Sequence, residues 1–302
     1  MAAECAGSDV TTTRRSGRAD VVRMARLLEV SRTGYYQYVK RATATALTDR
    51  QQRRADLEVK VLAAHRDSGG VYGSPRITAE LRAAGEVVSE KTVAKIMAGI
   101  GVAGISPRTF KTRTTVVDPA ASLPADLVAR CFDQGRVDAV WSTDITYLSC
   151  GGIDMYLCAV RDEHSKKVLG WAVADHMRVE LVTTAVDMAA TTRPGRCLGT
   201  ILHSDRGSQY TAQAMVEACA RHGLRRSMGA TGICWDNAGA ESLWSSFKHE
   251  YYYRHVFATK PELVAAVDNW IDFYNTTRRH SSIGMLSPDN YEKSLTAATE
   301  AA

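Results

Sequence analysis

Apolar positions recur along the chain first with the period of helices and later with that of strands. Between residues 18 and 116 they lie three and four residues apart, which predicts an all-helical region. From residue 136 onward, runs rich in Val, Ile, Tyr and Trp predict strands, because these residue types favour extended structure. The period changes across a segment with two prolines at 117–127, where we expect a linker.

The beginning of the helical region contains a first candidate helix-turn-helix unit near 21–41. Two short apolar helical runs flank the break EVSRTG, and the second helix would have Ser31 as its cap and expose Arg32. An ordinary helical hairpin is the alternative interpretation. Residues 1–17 are polar and aperiodic, which predicts a disordered segment.

A second helix-turn-helix-like unit is predicted near 72–100. Its helices begin at Ser74, which precedes a proline, and at Ser89, both in capping positions. Lys91 and Lys95 on the second helix would contact DNA phosphates. The tail that follows adds three more candidate phosphate contacts: Arg108, Lys111 and Arg113.

The charge of the chain is unevenly distributed, although the net charge is only +5. Residues 1–117 hold 20 Lys and Arg against 11 Asp and Glu, whereas the remainder holds 18 against 22. A basic half of this kind indicates a polyanionic partner, and two helix-turn-helix-like units favour DNA; an ordinary solvated charged face is the alternative.

Composition excludes several other classes of protein. The seven cysteines are odd in number and form no C-x-x-C pair, so neither a disulfide framework nor a thiolate zinc site is expected. Since no apolar run reaches the length of a membrane span and the N-terminus lacks a secretory signal, we expect a cytoplasmic protein without a membrane partner.

The second half of the chain has the element order of an α/β domain. Three strand-like runs at 136–149, 155–165 and 167–177 are separated by short turns, which predicts an antiparallel meander. Helix, strand, helix, strand and helix follow, and this order predicts a mixed sheet flanked by helices.

Three acids occupy positions in these elements where chemistry is expected. Asp144 lies inside the first strand, Asp205 ends the fourth, and Glu241 belongs to a helix; 60 and then 35 residues separate them. If the first and fourth strands are neighbours, the two aspartates face each other. Such carboxylates suit Mg²⁺ or Mn²⁺, and two ions could activate an attacking oxygen and stabilise a leaving one. Lys248, two turns after Glu241, would point at a bound phosphate.

Several neighbouring side chains are candidate DNA contacts with structural alternatives. His203 and Arg206 flank Asp205 and would orient a phosphate, or the histidine would simply pack. In the Gly-containing stretch before Glu241, Trp235 would stack on a base or belong to the core. The remaining candidates are Asn237 in that stretch and the basic pair Arg278 and Arg279, for which ordinary charges completing a helix dipole are the alternative.

Four segments carry a resemblance to a known family: WSTDITYLS, HSDRGSQY, CWDNAGAESLWSSFK and FYNTTRRHSSIGMLSPDNYE. They resemble the catalytic protein, encoded by the second reading frame, of the insertion sequence three family of bacterial transposases. That family has an Asp-Asp-Glu core similar to retroviral integrases. The segment at 72–97 is similar to its helix-turn-helix, and Asn237, four residues before Glu241, fits its pattern.

The resemblance implies a ribonuclease H-like catalytic core at 128–255 with a mixed five-stranded sheet and flanking helices. It also implies a helical extension of the core at 256–295, and the tail at 296–302 is expected to be disordered. Asp144, Asp205 and Glu241 become a metal-binding catalytic triad that takes two Mg²⁺ ions, for which Mn²⁺ can substitute.

The implied reaction is nicking of the element's 3′ ends by water, followed by attack of each freed 3′-OH on another strand. The partners are terminal inverted repeats, target DNA, a second copy of the chain and an upstream-frame DNA-binding protein, fused or separate. The protein would be associated with the bacterial nucleoid when bound to DNA. A DNA-binding repressor with a degenerate core and a nuclease without joining activity remain as alternatives.

Two departures from the family pattern limit this inference. Glu29 stands in the turn of the first candidate unit where the family usually has Gly. The zinc module of retroviral integrases is also absent, so no zinc is expected.

Overall fold

The computed structural model describes residues 21–43, 47–106, 124–229 and 238–300. They form two compact units, one ending at Leu57 and the other beginning at Glu58. The helices are α1 (Val21–Leu27), α2 (Arg32–Ala42), α3 (Asp49–Asp67), α4 (Ser74–Ala83), α5 (Glu90–Gly99), α6 (Val179–Thr192), α7 (Ser208–Thr211), α8 (Gln213–His222), α9 (Ala238–Glu250), α10 (Lys260–Thr276) and α11 (Pro288–Glu300). The strands are β1 (Val140–Cys150), β2 (Ile153–Asp162), β3 (Val168–Ala174), β4 (Ile201–Ser204) and β5 (Arg225–Met228).

The five strands form one mixed sheet in the order β3-β2-β1-β4-β5. β1, β2 and β3 pair antiparallel, which confirms the predicted meander. β4 is parallel to both β1 and β5, so the first and fourth strands are neighbours. The predicted ribonuclease H-like α/β class is thereby confirmed.

Both faces of the sheet are covered by helices, and the side chains of β1 divide between them. Trp141 packs with residues of α6 and α8 on one face. Leu148 and Cys150 pack with residues of α9 and α10 on the other. Because successive side chains of a strand point to opposite faces, even-numbered positions of β1 are directed toward α9.

The helix-turn-helix-like unit, defined here as residues 72–100, contains α4 and α5. Ser89 caps α5 as predicted, since its hydroxyl accepts a hydrogen bond from the Thr92 amide at 3.2 Å. The prediction that Ser74 caps α4 is wrong by one residue. Gly73 occupies the N-cap position with an extended backbone, and Ser74 is already helical, followed by Pro75 in the first turn.

The first candidate unit contains the two predicted helices, α1 and α2. Ser31 stands at the N-cap of α2 without a side-chain capping bond, and Arg32 begins the helix with its side chain exposed. Glu29 has a φ of 54°, a left-handed conformation that glycine adopts without steric cost. The turn thus keeps the conformation that a family glycine would favour, although the residue is Glu.

Two other predicted boundaries differ from the structure. The helical region predicted as 18–116 is divided after Leu57, and its second helix-turn-helix-like unit belongs to the same compact unit as the sheet. The tail predicted from residue 296 is helical as far as Glu300, because α11 continues through it. Of the predicted linker, residues 124–127 are described and contain neither helix nor strand. Residues 1–17 lie outside the described part of the chain.

No helix in the described ranges combines the length and apolar character that crossing a membrane requires.

Gly170 allows β3 and α6 to approach each other closely. A Cβ at this position would overlap the carbonyl oxygen of Ala185 and the amide nitrogen of Ala189, both in the backbone of α6. We expect Gly170→Ala to lower the free energy of unfolding by roughly 2 to 3 kcal/mol, because a helix backbone cannot move aside as a side chain can.

Denaturant unfolding measures this change. The matched control is Gly34→Ala, whose Cβ would meet only the Cβ of Ser31 at 3.8 Å. Equal stability of the Gly170 variant and the wild type would contradict the close packing of β3 on α6.

Candidate active site

Two of the three predicted catalytic acids lie side by side on neighbouring parallel strands. Ser142 of β1 is paired with His203 of β4. Two residues further in the same direction, Asp144 lies within β1 and Asp205 follows directly after the end of β4. The parallel register therefore brings the two aspartates to the same level of the sheet.

Asp144 is partly buried and shares its electrostatic environment with the other two acids. Burial raises the pKa of Asp144, the charge of Asp205 raises it further, and Glu241 adds a smaller effect in the same direction, so that the pKa is about 7. Two donors oppose this rise: the amide of Ile145 and the indole Nε1 of Trp244, which donates to Oδ2 at 3.0 Å. The carboxylate of Asp144 is therefore fixed in orientation while it is crowded by negative charge.

Helix α9 carries three side chains that interact with this carboxylate. Glu241 is exposed in the first turn, Trp244 follows three residues later, and Lys248 follows after four more. Residues with these spacings share one face of a helix. Burial lowers the pKa of Lys248, and the negative charge of Asp144 partly reverses that effect, which places the ammonium group close enough to interact with the acid.

Asp205 is held by the turn that follows β4. Its Oδ1 accepts a hydrogen bond from the amide of Gly207 at 2.9 Å. The partly buried side chain of Arg206 donates from Nε to the carbonyl of Gly229 at 2.8 Å and so connects the ends of β4 and β5. A DNA contact by Arg206 stays a prediction.

The prediction that His203 contacts substrate phosphate is wrong. Its side chain is only 1% exposed, and its ring Nδ1 lies 2.9 Å from the hydroxyl of Ser227. The ring also packs edge-on against Phe132. With almost no accessible surface, this histidine serves packing between β4 and β5.

The prediction that Arg278 contacts DNA is also wrong. The residue is 3% exposed, and its guanidinium donates to the carboxylate of Glu250. Arg279 is partly buried and forms a two-point ion pair with Glu80, so it is committed within the protein as well. Burial and the charge of Arg278 lower the pKa of His280 to about 2, which makes this ring neutral.

Three of the other predicted DNA contacts are exposed, as contact with a phosphate requires. Lys91 and Lys95 are on the surface of α5, and Arg32 is on that of α2. The remaining five predicted contacts lie outside the described residues: Arg108, Lys111, Arg113, Trp235 and Asn237.

A buried ion pair beside the first turn of α9 was not predicted from the sequence. Arg161 donates to both carboxylate oxygens of Glu163, which also accepts a hydrogen bond from Ser142. A Cβ on Gly239 would overlap Oε1 of Glu163 and lie 2.7 Å from the Arg161 guanidinium. Gly239 thus lets α9 approach this pair two residues before Glu241. The available signal was a glycine just before the acid and a charged Arg-Asp-Glu sequence ending an apolar strand.

Carboxylate oxygens are the ligands that hard divalent cations prefer, and Asp144 and Asp205 present them on adjacent strands. The charge of Glu241 also raises the pKa of Asp144, so a third carboxylate acts on the same group. Among the described residues, no three His, Cys, Asp or Glu side chains come close enough together to enclose an ion. The acids are therefore an electrostatic cluster rather than a closed cage.

Family models match both the helical region and the sheet domain. The family described as Integrase core domain matches residues 134–234, and a second family of that description matches 222–288. The family described as HTH-like domain matches residues 51–110.

Curated relatives match this chain over most of their own length. Transposase InsF for insertion sequence IS3A from Escherichia coli (strain K12) is 38% identical over 89% of this chain and 92% of its own length. The chain belongs to the IS3 family of insertion-sequence transposases. A protein of Mycobacterium tuberculosis (strain CDC 1551 / Oshkosh) named for insertion sequence element IS986/IS6110 is 31% identical over 88% of this chain and 95% of its own length.

The catalytic core domain of BIV integrase is a similar solved structure, with a TM-score of 0.40 and 19% identity over 54% of this chain and 99% of that one.

As an IS3-family transposase with an integrase core, the protein is a polynucleotidyl transferase that acts on DNA.

We expect Gly239→Ala to displace the first turn of α9, because Glu163 is held by Arg161 and Ser142 and cannot move away. The free energy of unfolding should fall by about 1 to 3 kcal/mol, as for other overpacked sites. Denaturant unfolding measures this change.

Ser242→Ala is the matched control, since it adds no atoms at an exposed position of the same helix and should change stability by less than about 0.5 kcal/mol. If Gly239→Ala proved as stable as this control, the close approach of α9 to the ion pair would be refuted.

Proposed function

We propose that this transposase nicks the 3′ ends of its element and joins each freed 3′-OH to another DNA strand. In this proposal Asp144, Asp205 and Glu241 are the catalytic residues and hold two Mg²⁺ ions, for which Mn²⁺ can substitute. The observation that carries the proposal is the adjacency of Asp144 in β1 and Asp205 just after the parallel strand β4, with α9 beside them.

The residues present fit divalent cations. A partly buried carboxylate beside two others carries an unfavourable concentration of negative charge, as the raised pKa of Asp144 reflects. Cations bound there would remove this repulsion. When bound, two such ions would favour ionisation of the attacking hydroxyl and stabilise the charge on the departing oxygen.

The protein's own side chains orient these groups. The indole of Trp244 donates to Oδ2 of Asp144 and, with the amide of Ile145, fixes the orientation of this carboxylate. Lys248 supplies a positive charge beside the acids, where it can neutralise a substrate phosphate. In each step an oxygen of water or of a 3′-OH forms a bond to phosphorus, and a 3′-oxygen departs with a proton. No covalent bond to the protein is required.

The partners follow from this reaction. Terminal inverted repeats and target DNA would be bound in part through Lys91, Lys95, Arg32 and Arg206, and also through the predicted contacts that lie outside the described residues. Pairing two ends requires at least a dimer. An upstream-frame DNA-binding protein, fused or separate, is a further proposed partner, and the site of action is the bacterial cytoplasm, on the nucleoid.

The experiment incubates the protein with end-labelled terminal inverted repeats and Mg²⁺ and resolves nicked and joined strands on a denaturing gel. Wild type should give both products. Asp205→Asn should give less than about one hundredth of either, since loss of even an outer partner of a metal ligand costs 10- to 100-fold. Asp187→Asn, at a half-exposed acid of α6, is the matched control.

The other outcomes decide between functions. Binding of the repeats without any metal-dependent product would indicate a repressor with a degenerate core. Hydrolysis without joined strands would indicate a nuclease. In either case strand transfer by this chain would be refuted.

Removal of the indole donor should weaken metal binding at Asp144. We expect Trp244→Phe to raise the Mn²⁺ concentration for half-maximal nicking by roughly tenfold, the cost typical of an outer hydrogen bond to a ligand. Titration of nicking against Mn²⁺ measures it, with Trp171→Phe on β3 as the matched control. An unchanged Mn²⁺ requirement would show that the hydrogen bond does not support the site.

A further inference from the structure

The basic motif after α10 is buried against the end of helix α9. Nε and Nη2 of Arg278 each lie 2.6 Å from a carboxylate oxygen of Glu250, and both side chains are 4% exposed. Nη2 also donates to the hydroxyl of Ser246 at 3.1 Å. Glu250 and Ser246 are on α9, the helix that carries Glu241. The motif therefore fixes the end of α9 opposite to the proposed metal ligand.

The same cluster extends into the helix-turn-helix-like unit. Arg76 of α4 donates to Glu250 at 3.2 Å. Glu80, one turn later, accepts hydrogen bonds from Arg279 at 2.6 and 3.0 Å. The amide of Arg279 donates to the hydroxyl of Tyr72 at 2.8 Å, and Arg76 lies over the ring of that tyrosine. Residues far apart in sequence thus join α4, α9 and the segment after α10.

Charge pairing in this cluster is strong enough to outweigh the cost of burial. Burial alone raises the pKa of Glu250, but hydrogen bonds and charge from Arg278, with a contribution from Arg76, hold it below its usual value. Hydrogen-bonded ion pairs of this kind fix angles as well as distances. The cluster therefore resists rotation of α4 relative to α9.

We name this cluster the joint, and it consists of Arg76, Glu80, Glu250, Arg278 and Arg279. We propose that the joint holds the helix-turn-helix-like unit in one orientation on helix α9, so that DNA bound by the unit reaches the catalytic acids in a single register. The inference rests on the proposed function. Arg279 is then a positioning residue, whose effect on the reaction passes through α4 and α9.

A reciprocal charge swap tests the joint at its most accessible pair. The single variants Glu80→Arg and Arg279→Glu each place like charges opposite one another, whereas the double variant restores the attraction with reversed polarity. Both side chains are partly exposed, at 35% and 18%, so the chain can accommodate the changes. Arg221→Glu breaks an exposed pair with Asp187 of similar length and is the matched control.

On labelled inverted repeats, each single variant should retain repeat binding but lose end nicking by roughly 100-fold, the effect expected of a misplacement of about 1 Å. The residual nicks should spread over neighbouring phosphates. The double variant should recover a single nick position and most of the rate. If Arg279 instead contacted DNA directly, nicking and binding would fall together and the double variant would not recover.

Hydrogen exchange provides a readout that does not depend on activity. Amides in α4 and in the last turn of α9 should exchange faster in the single variants and return to the wild-type rate in the double variant. Unchanged hydrogen exchange in the single variants would contradict the proposed role of the joint. Absence of any metal-dependent product from wild type would refute the proposed function. Hydrogen exchange would still show whether the joint holds α4 on α9.

Discussion

Two carboxylates on adjacent strands repel each other, and the parallel register of β1 against β4 nevertheless holds Asp144 and Asp205 together. The strands are anchored on both faces by apolar packing, so the acids cannot separate without unpairing the sheet. The free energy of apolar burial in the sheet thus offsets the repulsion between the two aspartates and keeps their negative charges close together. A bound cation would relieve this repulsion, and in the proposed function Glu241 of α9 contributes to holding it.

Helix α9 is held at both ends by buried ion pairs. At its beginning, Gly239 lies against Glu163, whose carboxylate is fixed by Arg161. At its end, Glu250 is fixed by Arg278. A carboxylate beside the first turn of a helix also interacts favourably with the free amides there. The positions of Glu241, Trp244 and Lys248 are thus set by contacts of α9 with residues on other elements.

Periodicity and chain order were sufficient to predict the sheet, its helices and the convergence of Asp144 with Asp205. These features depend on the local pattern of apolar residues and on the assumption that the first and fourth strands are neighbours. The burial of Arg278 could not be predicted, because its partner Glu250 lies 28 residues earlier and Arg76 still further away. Arg278 and Lys95 look alike in sequence as basic residues near helices, and only tertiary contact makes one internal and the other exposed.

Buried ion pairs are a poor means of increasing stability, since apolar residues of similar volume often serve equally well. Apolar contact is non-directional, however, and a helix packed by it alone can rotate or slide at small cost. A guanidinium that donates two hydrogen bonds to one carboxylate fixes both distance and plane. In the proposed reaction, DNA bound by the helix-turn-helix-like unit must reach acids held by the sheet and α9. Directional contact between α4 and α9 would serve that purpose, which core packing cannot fulfil.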